Sequence, residues 1–124
     1  MHNRESEHAW MRFYQLLRQG VDPHPSLTNE VKSLRGPLGQ SILHWLCLEA
    51  DVAIIERALK AGVELDAQDE LGNTPLMEAV TAGRTDVIPA LIAAGASRTI
   101  TNFDGEDLAD YLDLYGLDLT DLLP

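Results

Sequence analysis

Few residues in this 124-residue chain have the type and spacing to do chemistry. His44 and Cys47 stand three apart, so on a helix they share a face. A Cys–His pair can act as nucleophile and base, or can ligate a metal. Cys47 is the only cysteine, which excludes an internal disulfide and most thiolate metal sites. His2, His8 and His24 have no metal-ligand spacing and read as solvent-facing. The acidic series Asp104, Glu106, Asp107, Asp110 and Asp113 raises the question of calcium. An EF-hand loop needs oxygen ligands at alternating positions, a central glycine and a closing glutamate. Gly105 directly follows Asp104, and that spacing is missing. Acids at the start of a helix also favour its dipole, and these read as part of a helical cap. No HExxH, P-loop, GxSxG or GxGxxG fingerprint occurs. The expectation is a chain without catalytic residues, metal or cofactor.

Composition narrows the partners. Nine Lys/Arg against twenty Asp/Glu give a net charge of −11. That disfavours nucleic acid, whose phosphates need cationic side chains, and favours a basic protein partner. Apolar residues make up 45% of the chain, enough for the core of one domain. No apolar run approaches the ~18 residues of a membrane span. The first residues show no apolar signal region, so a cytoplasmic location is expected. The charge is uneven: residues 1–36 carry net +1, residues 37–103 net −5 and residues 104–124 net −7. The acidic last segment also carries Leu and Tyr at regular intervals, unlike a plain solvated tail.

Self-comparison supplies the organisation. Gly39, Gly72 and Gly105 are spaced by 33, as are Gly62 and Gly95, Leu43 and Leu76, and Gly83 and Gly116. Each unit reads as helix, turn, helix and extended link. Ser41 and Thr74 can N-cap first helices, and Pro75 fits a first turn. Gly83 and Gly95 are placed to end helices in left-handed conformation. Val87, Ile88, Leu91 and Ile92 form one helical stripe. Helices of about eight residues are not stable alone and must stack on neighbours, as in a solenoid.

The pattern resembles the ankyrin-repeat family. Gly72, Thr74, Pro75, Leu76, Ala79, Gly83, Val87, Ile88, Leu91, Gly95 and Ala96 carry the match, with Gly39, Leu43, His44, Gly62, Ala67 and Asp69 in the unit before. The resemblance implies an all-α solenoid of about three and a half helix-turn-helix repeats with short β-turn fingers. It implies that His44 bonds backbone between loops and that Cys47 packs as a small hydrophobe, without chemistry. The expected layout is a single domain over 1–124. It has an N-terminal capping unit at 5–36 with an inserted finger at 22–37, repeats at 37–69 and 70–102, and a C-terminal capping repeat at 103–124. Within the insertion, Leu27, Val31 and Leu34 have helical spacing, and a short helix or a plain loop both fit. Deleting the excess is expected to keep the fold. Glu78 falls where the neighbouring units have Trp45 and Tyr111. Its carboxylate either accepts a hydrogen bond from one of them or reaches the groove.

The resemblance also implies a concave partner-binding face made of fingers and first helices. The candidate contact residues there are Leu38, Gln40, Leu48 and Glu49 in one unit, Glu70, Leu71 and Asn73 in the next, and Phe103, Asp104, Glu106, Leu114 and Tyr115 in the last. Large apolar residues flanked by acids have the character of a binding hot spot. The expected function is non-catalytic protein binding through an acidic face. It masks a basic partner in the manner of an inhibitor, an immunity or antitoxin-type protein, or a specific chaperone. A scaffolding subunit of a larger complex is the alternative. The chain is expected as a monomer or within a hetero-complex, with neither nucleic acid nor membrane as partner.

Overall fold

The computed structural model describes residues 2–123, with side chains from residue 7 onward. The described helices are α1 (His2–Arg18), α2 (Pro25–Ser33), α3 (Ile42–Glu49), α4 (Val52–Ala61), α5 (Pro75–Thr81), α6 (Val87–Ala93), α7 (Leu108–Leu114) and α8 (Leu119–Leu122). No strand occurs among the described residues. α3, α5 and α7 pack on one another as an inner row, and α1, α4 and α6 as an outer row. Each pair α3/α4 and α5/α6 closes one repeat, so the stack is the expected all-α solenoid.

The caps explain where the helices begin. Ser41, Thr74 and Asp107, spaced by 33, each accept from the backbone N–H three residues on. Asp107 thus serves where the pattern has Thr or Ser, and Asp110 reaches back to the Asp107 N–H at 3.0 Å. The core runs continuously through the stack: Phe13, Leu43, Leu46, Ile55, Leu76, Ile88 and Leu91 are fully buried. Cys47 lies among them. Two arginines bond the end of a helix in the preceding unit. The Arg57 guanidinium donates to the Leu17 carbonyl at 2.7 Å, and Arg84 donates to the carbonyls of Cys47 (3.1 Å) and Ala50 (2.7 Å). Cations at helix C-termini satisfy orphan carbonyls and complement the dipole.

The fingers are tight turns repeated in register. Gly39 N–H bonds the Gly36 carbonyl, Gly72 the Asp69 carbonyl and Gly105 the Asn102 carbonyl, all at 2.9–3.0 Å. The 36–40, 69–73 and 102–106 backbones are closed at 2.8–3.0 Å. Adjacent tips are joined too: Glu70 N–H donates to the Leu38 carbonyl and Phe103 N–H to the Leu71 carbonyl, both at 3.0 Å. This close approach demands glycine at the first two tips. At Gly72 (φ 82°) an added Cβ meets Phe103 N and Cδ1 at 2.8 Å, and at Gly39 (φ 77°) it meets Glu70 N at 2.9 Å.

Residues 22–37 depart from the expectation of a simple finger extension. Pro25–Ser33 form a separate helix packed on α1, with Thr28 and Val31 buried. His24 Nδ1 caps it, accepting from Ser26 N–H at 3.1 Å, and a proline stands in the first turn. Leu27 and Leu34 pack half-buried against the core. The stripe Leu27, Val31, Leu34 is therefore part of the N-terminal cap. Deletion of this segment is expected to destabilise the fold, because it uncovers that apolar surface.

Two outcomes follow in urea denaturation. Val31→Ala should cost about 2 kcal/mol, as expected for a fully buried aliphatic residue. Gly72→Ala should cost more than a substitution at exposed Gly95, whose added Cβ meets nothing within 4 Å.

Candidate functional site

Each fingertip satisfies its own backbone with a side-chain oxygen. Asp69 Oδ1 accepts from the N–H of Leu71 (3.0 Å) and of Asn73 (2.9 Å). Thirty-three residues on, Asn102 Oδ1 accepts from Asp104 (3.0 Å) and Glu106 (2.9 Å). The first finger has Gly36 at that position and no side chain to offer. Gln40 Oε1 fills the space instead and accepts from Leu38 N–H at 3.0 Å. A Cβ on Gly36 would lie 2.5 Å from that oxygen. The glycine at 36 and the glutamine at 40 are therefore one compensated pair.

Asn73 is the junction of three units. Its carbonyl accepts from Asp69 N–H at 3.0 Å and from His44 Nε2 at 2.7 Å. Its Oδ1 accepts from Asn102 Nδ2 at 3.0 Å and from the Tyr111 hydroxyl at 3.1 Å. His44 is fully buried, and its Nδ1 accepts from Ser41 N–H at 3.0 Å. That bond leaves the proton on Nε2, which donates to Asn73. Burial holds the His44 pKa below its usual value, partly offset by the Asn73 bond and the nearby Asp69 carboxylate. His44 and Cys47 share the helix face but no chemistry. Burial pushes the Cys47 thiol up to about 12, so it carries no thiolate near neutral pH. No cluster of metal-ligating side chains occurs among the described residues.

The candidate contact residues separate into two groups. Gln40, Asn73 and Glu106 occupy one register position, and all three spend side-chain oxygens on the fingers; Glu106 Oε1 accepts from Asn102 Nδ2 at 3.0 Å. The others are exposed: Leu38, Glu70, Leu71, Phe103 and Asp104 on the tips, and Leu48, Glu49, Leu114 and Tyr115 at the ends of α3 and α7. Leu71 is 67% exposed and Phe103 73%, although one ring edge of Phe103 rests against Gly72. Leu48 and Leu114 are equivalent across the repeats, so the same helix ends present large apolar side chains at both ends of the inner row.

Among the described residues, none hydrogen-bonds the Glu78 carboxylate. Tyr111 spends its hydroxyl on Asn73 and accepts from Asn102 at 3.3 Å. Trp45 stacks on Trp10 with centroids 5.9 Å apart and meets Tyr14 in a T-shaped contact at 5.5 Å. The expected bond to either aromatic residue is not made, because Tyr111 leans to the fingers and Trp45 to the N-terminal cap. Half-buried Glu78 has its pKa raised, by burial first and by Asp69 second. Sequence reasoning also missed a cleft of about 160 Å³ bounded by Glu7, Trp10, Gly36, Pro37, Gln40, Trp45 and Leu48. Its signal was Trp45 in the inner-row register. Trp10 gave no sign of lying beside it, being 35 residues earlier on a different helix.

Ankyrin repeats, in three copies, match residues 11–102, and the chain belongs to the ankyrin-repeat family. Repeats of this family generally mediate protein–protein interaction. The chain is 35% identical over 77 residues to human Protein phosphatase 1 regulatory subunit 27, covering 62% of this chain and 50% of that protein. It is 34% identical over 86 residues to the mouse protein of the same name, covering 69% and 56%. Protein glp-1 of Caenorhabditis elegans is 38% identical over 84 residues, 61% of this chain and 6% of that protein. The chain therefore spans about half the length of the two phosphatase subunits it matches. No described helix is long and apolar enough to cross a membrane.

The buried neutral His44 sets a pH dependence. Its pKa is lowered on folding, so the unfolded chain binds the proton more readily, and stability falls as pH drops below about 6.5. Urea midpoints measured from pH 7.5 to 5.5 should decline in the wild type. The decline should be shallower in His44→Gln, which also lowers the pH 7.5 midpoint by removing the bond to Asn73. The raised Glu78 carboxyl acts oppositely in a lower window: its stabilisation is full below about pH 4.5 and is lost as pH rises above that.

Proposed function

We propose that this chain is a non-catalytic binding protein that masks a basic protein partner with its fingertip and inner-helix face. One observation carries the reading: exposed Leu38, Leu71 and Phe103 project from fingers whose backbones are hydrogen-bonded in register. Rigid apolar projections cost little ordering entropy on binding, which suits them as anchors. Glu70 flanks Leu71 and Asp104 flanks Phe103, and residues 104–124 hold net −7. Such a field steers a cationic protein toward the face and sets its association rate. Leu48, Glu49, Leu114 and Tyr115 extend the contact along the inner row, whereas Gln40, Asn73 and Glu106 act by holding the fingers.

The regulatory-subunit names of two relatives support a role in controlling another protein's activity. The masking role, as inhibitor, immunity or antitoxin-type protein or specific chaperone, fits an acidic face with apolar anchors. A buried Cys47 and a buried neutral His44 offer no nucleophile, which supports a non-enzymatic reading. A cytoplasmic location belongs to the same proposal.

Affinity capture from native lysate, with mass spectrometry, supplies the partner for the decisive kinetics. Leu71→Ala and Phe103→Ala should each weaken binding on the order of tenfold, mainly through faster dissociation. Glu70→Lys with Asp104→Lys should mainly slow association and flatten its salt dependence, since screening at 0.15 M acts within about 8 Å. Wild-type rates in both variant sets, with binding lost on mutating exposed residues of α2, would place the interface on the inserted helix.

A further inference from the structure

The cleft at the N-terminal end of the inner row has a chemistry that the fingertip reading does not use. Its walls are the indoles of Trp10 and Trp45, with Pro37 and Leu48 beside them. Gln40 also lines it, but its oxygen is committed to Leu38 N–H. Glu7 brings the one charge among the lining residues. At about 160 Å³ it is smaller than the 300–1,000 Å³ typical of small-molecule sites and suits a single side chain. Trp45 is held in place by the stack on Trp10 and the T-shaped contact with Tyr14. Trp10 is buried, and its Nε1–H has no acceptor among the described residues. A phenylalanine would fill the same core wall without an orphan donor, so what tryptophan adds at position 10 is its larger ring face.

We propose that this cleft receives one arginine side chain of the partner, with the guanidinium against indole and its charge answered by Glu7. The proposal rests on the reading of the chain as a binder of a basic protein and names the side chain that the N-terminal end of that face selects. Arginine fits all the walls at once. Its stem covers the apolar surface of Pro37 and Leu48, and its planar head stacks on an aromatic face. Cation–π attraction strengthens where water is excluded, as it is beside buried Trp10 and half-buried Trp45. An apolar or aromatic side chain would match the walls and leave the Glu7 carboxylate without a counter-charge. The net charge of −11 concentrates cationic segments near the mouth.

Trp10 and Trp45 are the two tryptophans of the chain, so its indole fluorescence reports on this cleft directly. The experiment titrates the whole chain with acetyl-Gly-Arg-Gly-amide into the millimolar range. The same peptide carrying citrulline, norleucine or phenylalanine in place of arginine is run in parallel, at constant ionic strength. The arginine peptide should give a saturable change, and each of the other three should bind at least roughly fivefold more weakly. Leu48→Lys, at an exposed position, should abolish the response while the circular dichroism spectrum and urea midpoint stay at wild-type values. Glu7→Gln should weaken it severalfold. Equal responses to the norleucine or phenylalanine peptide, or no saturable response to arginine, would overturn the proposal. The titration needs no partner, so it can fail while the fingertip kinetics succeed, and the reverse.

Discussion

Asn73 joins three repeats through the two oxygens of one residue. Its carbonyl takes His44 from the preceding helix pair, and its side chain takes Asn102 and Tyr111 from the following one. The short helices of this chain have little stability of their own, so register between repeats must come from contacts that cross repeat boundaries. Apolar stacking supplies most of that stability but tolerates sliding. A half-buried junction with both Asn73 oxygens bonded does not, because any shift leaves a donor or acceptor unpaired in a poorly hydrated place. The inter-finger bonds from Glu70 to Leu38 and from Phe103 to Leu71 inherit the register that this junction fixes.

The same constraint orders the surface. A tip whose backbone is satisfied internally can expose leucine or phenylalanine in a fixed position without folding it back onto the core. Leu71 and Phe103 are prominent because Asp69, Asn102 and the glycines at 72 and 105 have already closed the turns beneath them. The first finger reaches the same state through another route, with Gln40 standing in for the side chain missing at Gly36. Three fingers with different sequences thus present comparable tips. The N-terminal end differs, because α1 stands in the outer row and Trp10 and Tyr14 cover Trp45, where a further inner helix would otherwise sit.

Much of this was legible in the sequence, for identifiable reasons. Glycines at a strict spacing of 33 carry the fold, since all adopt the left-handed conformation and those at 39 and 72 also press against the next finger. The apolar stripe of α6 and the caps at Ser41 and Thr74 are local signals and were readable as such. The roles of Gln40, Asn73 and Glu106 were not. A polar residue on a turn fits a solvated binding face and an internal bond equally well, and only the geometry shows which oxygen is occupied. The helix at Pro25–Ser33 was undecided because Leu27, Val31 and Leu34 share helical spacing with too few turns to exclude a loop. The bond expected at Glu78 failed because Tyr111 lies within reach of two asparagines on the fingers.

The central claim is that the fingers and inner helix ends, not the outer row, form the working surface of this protein. Hydrogen–deuterium exchange of the free chain and of the chain saturated with its captured partner tests this most directly. The account predicts added protection at 38–39, 70–72 and 103–105 and at the C-terminal ends of α3 and α7, with α4 and α6 unchanged. Protection confined to the exposed faces of α4 and α6, with the fingertips exchanging as in the free chain, would contradict it.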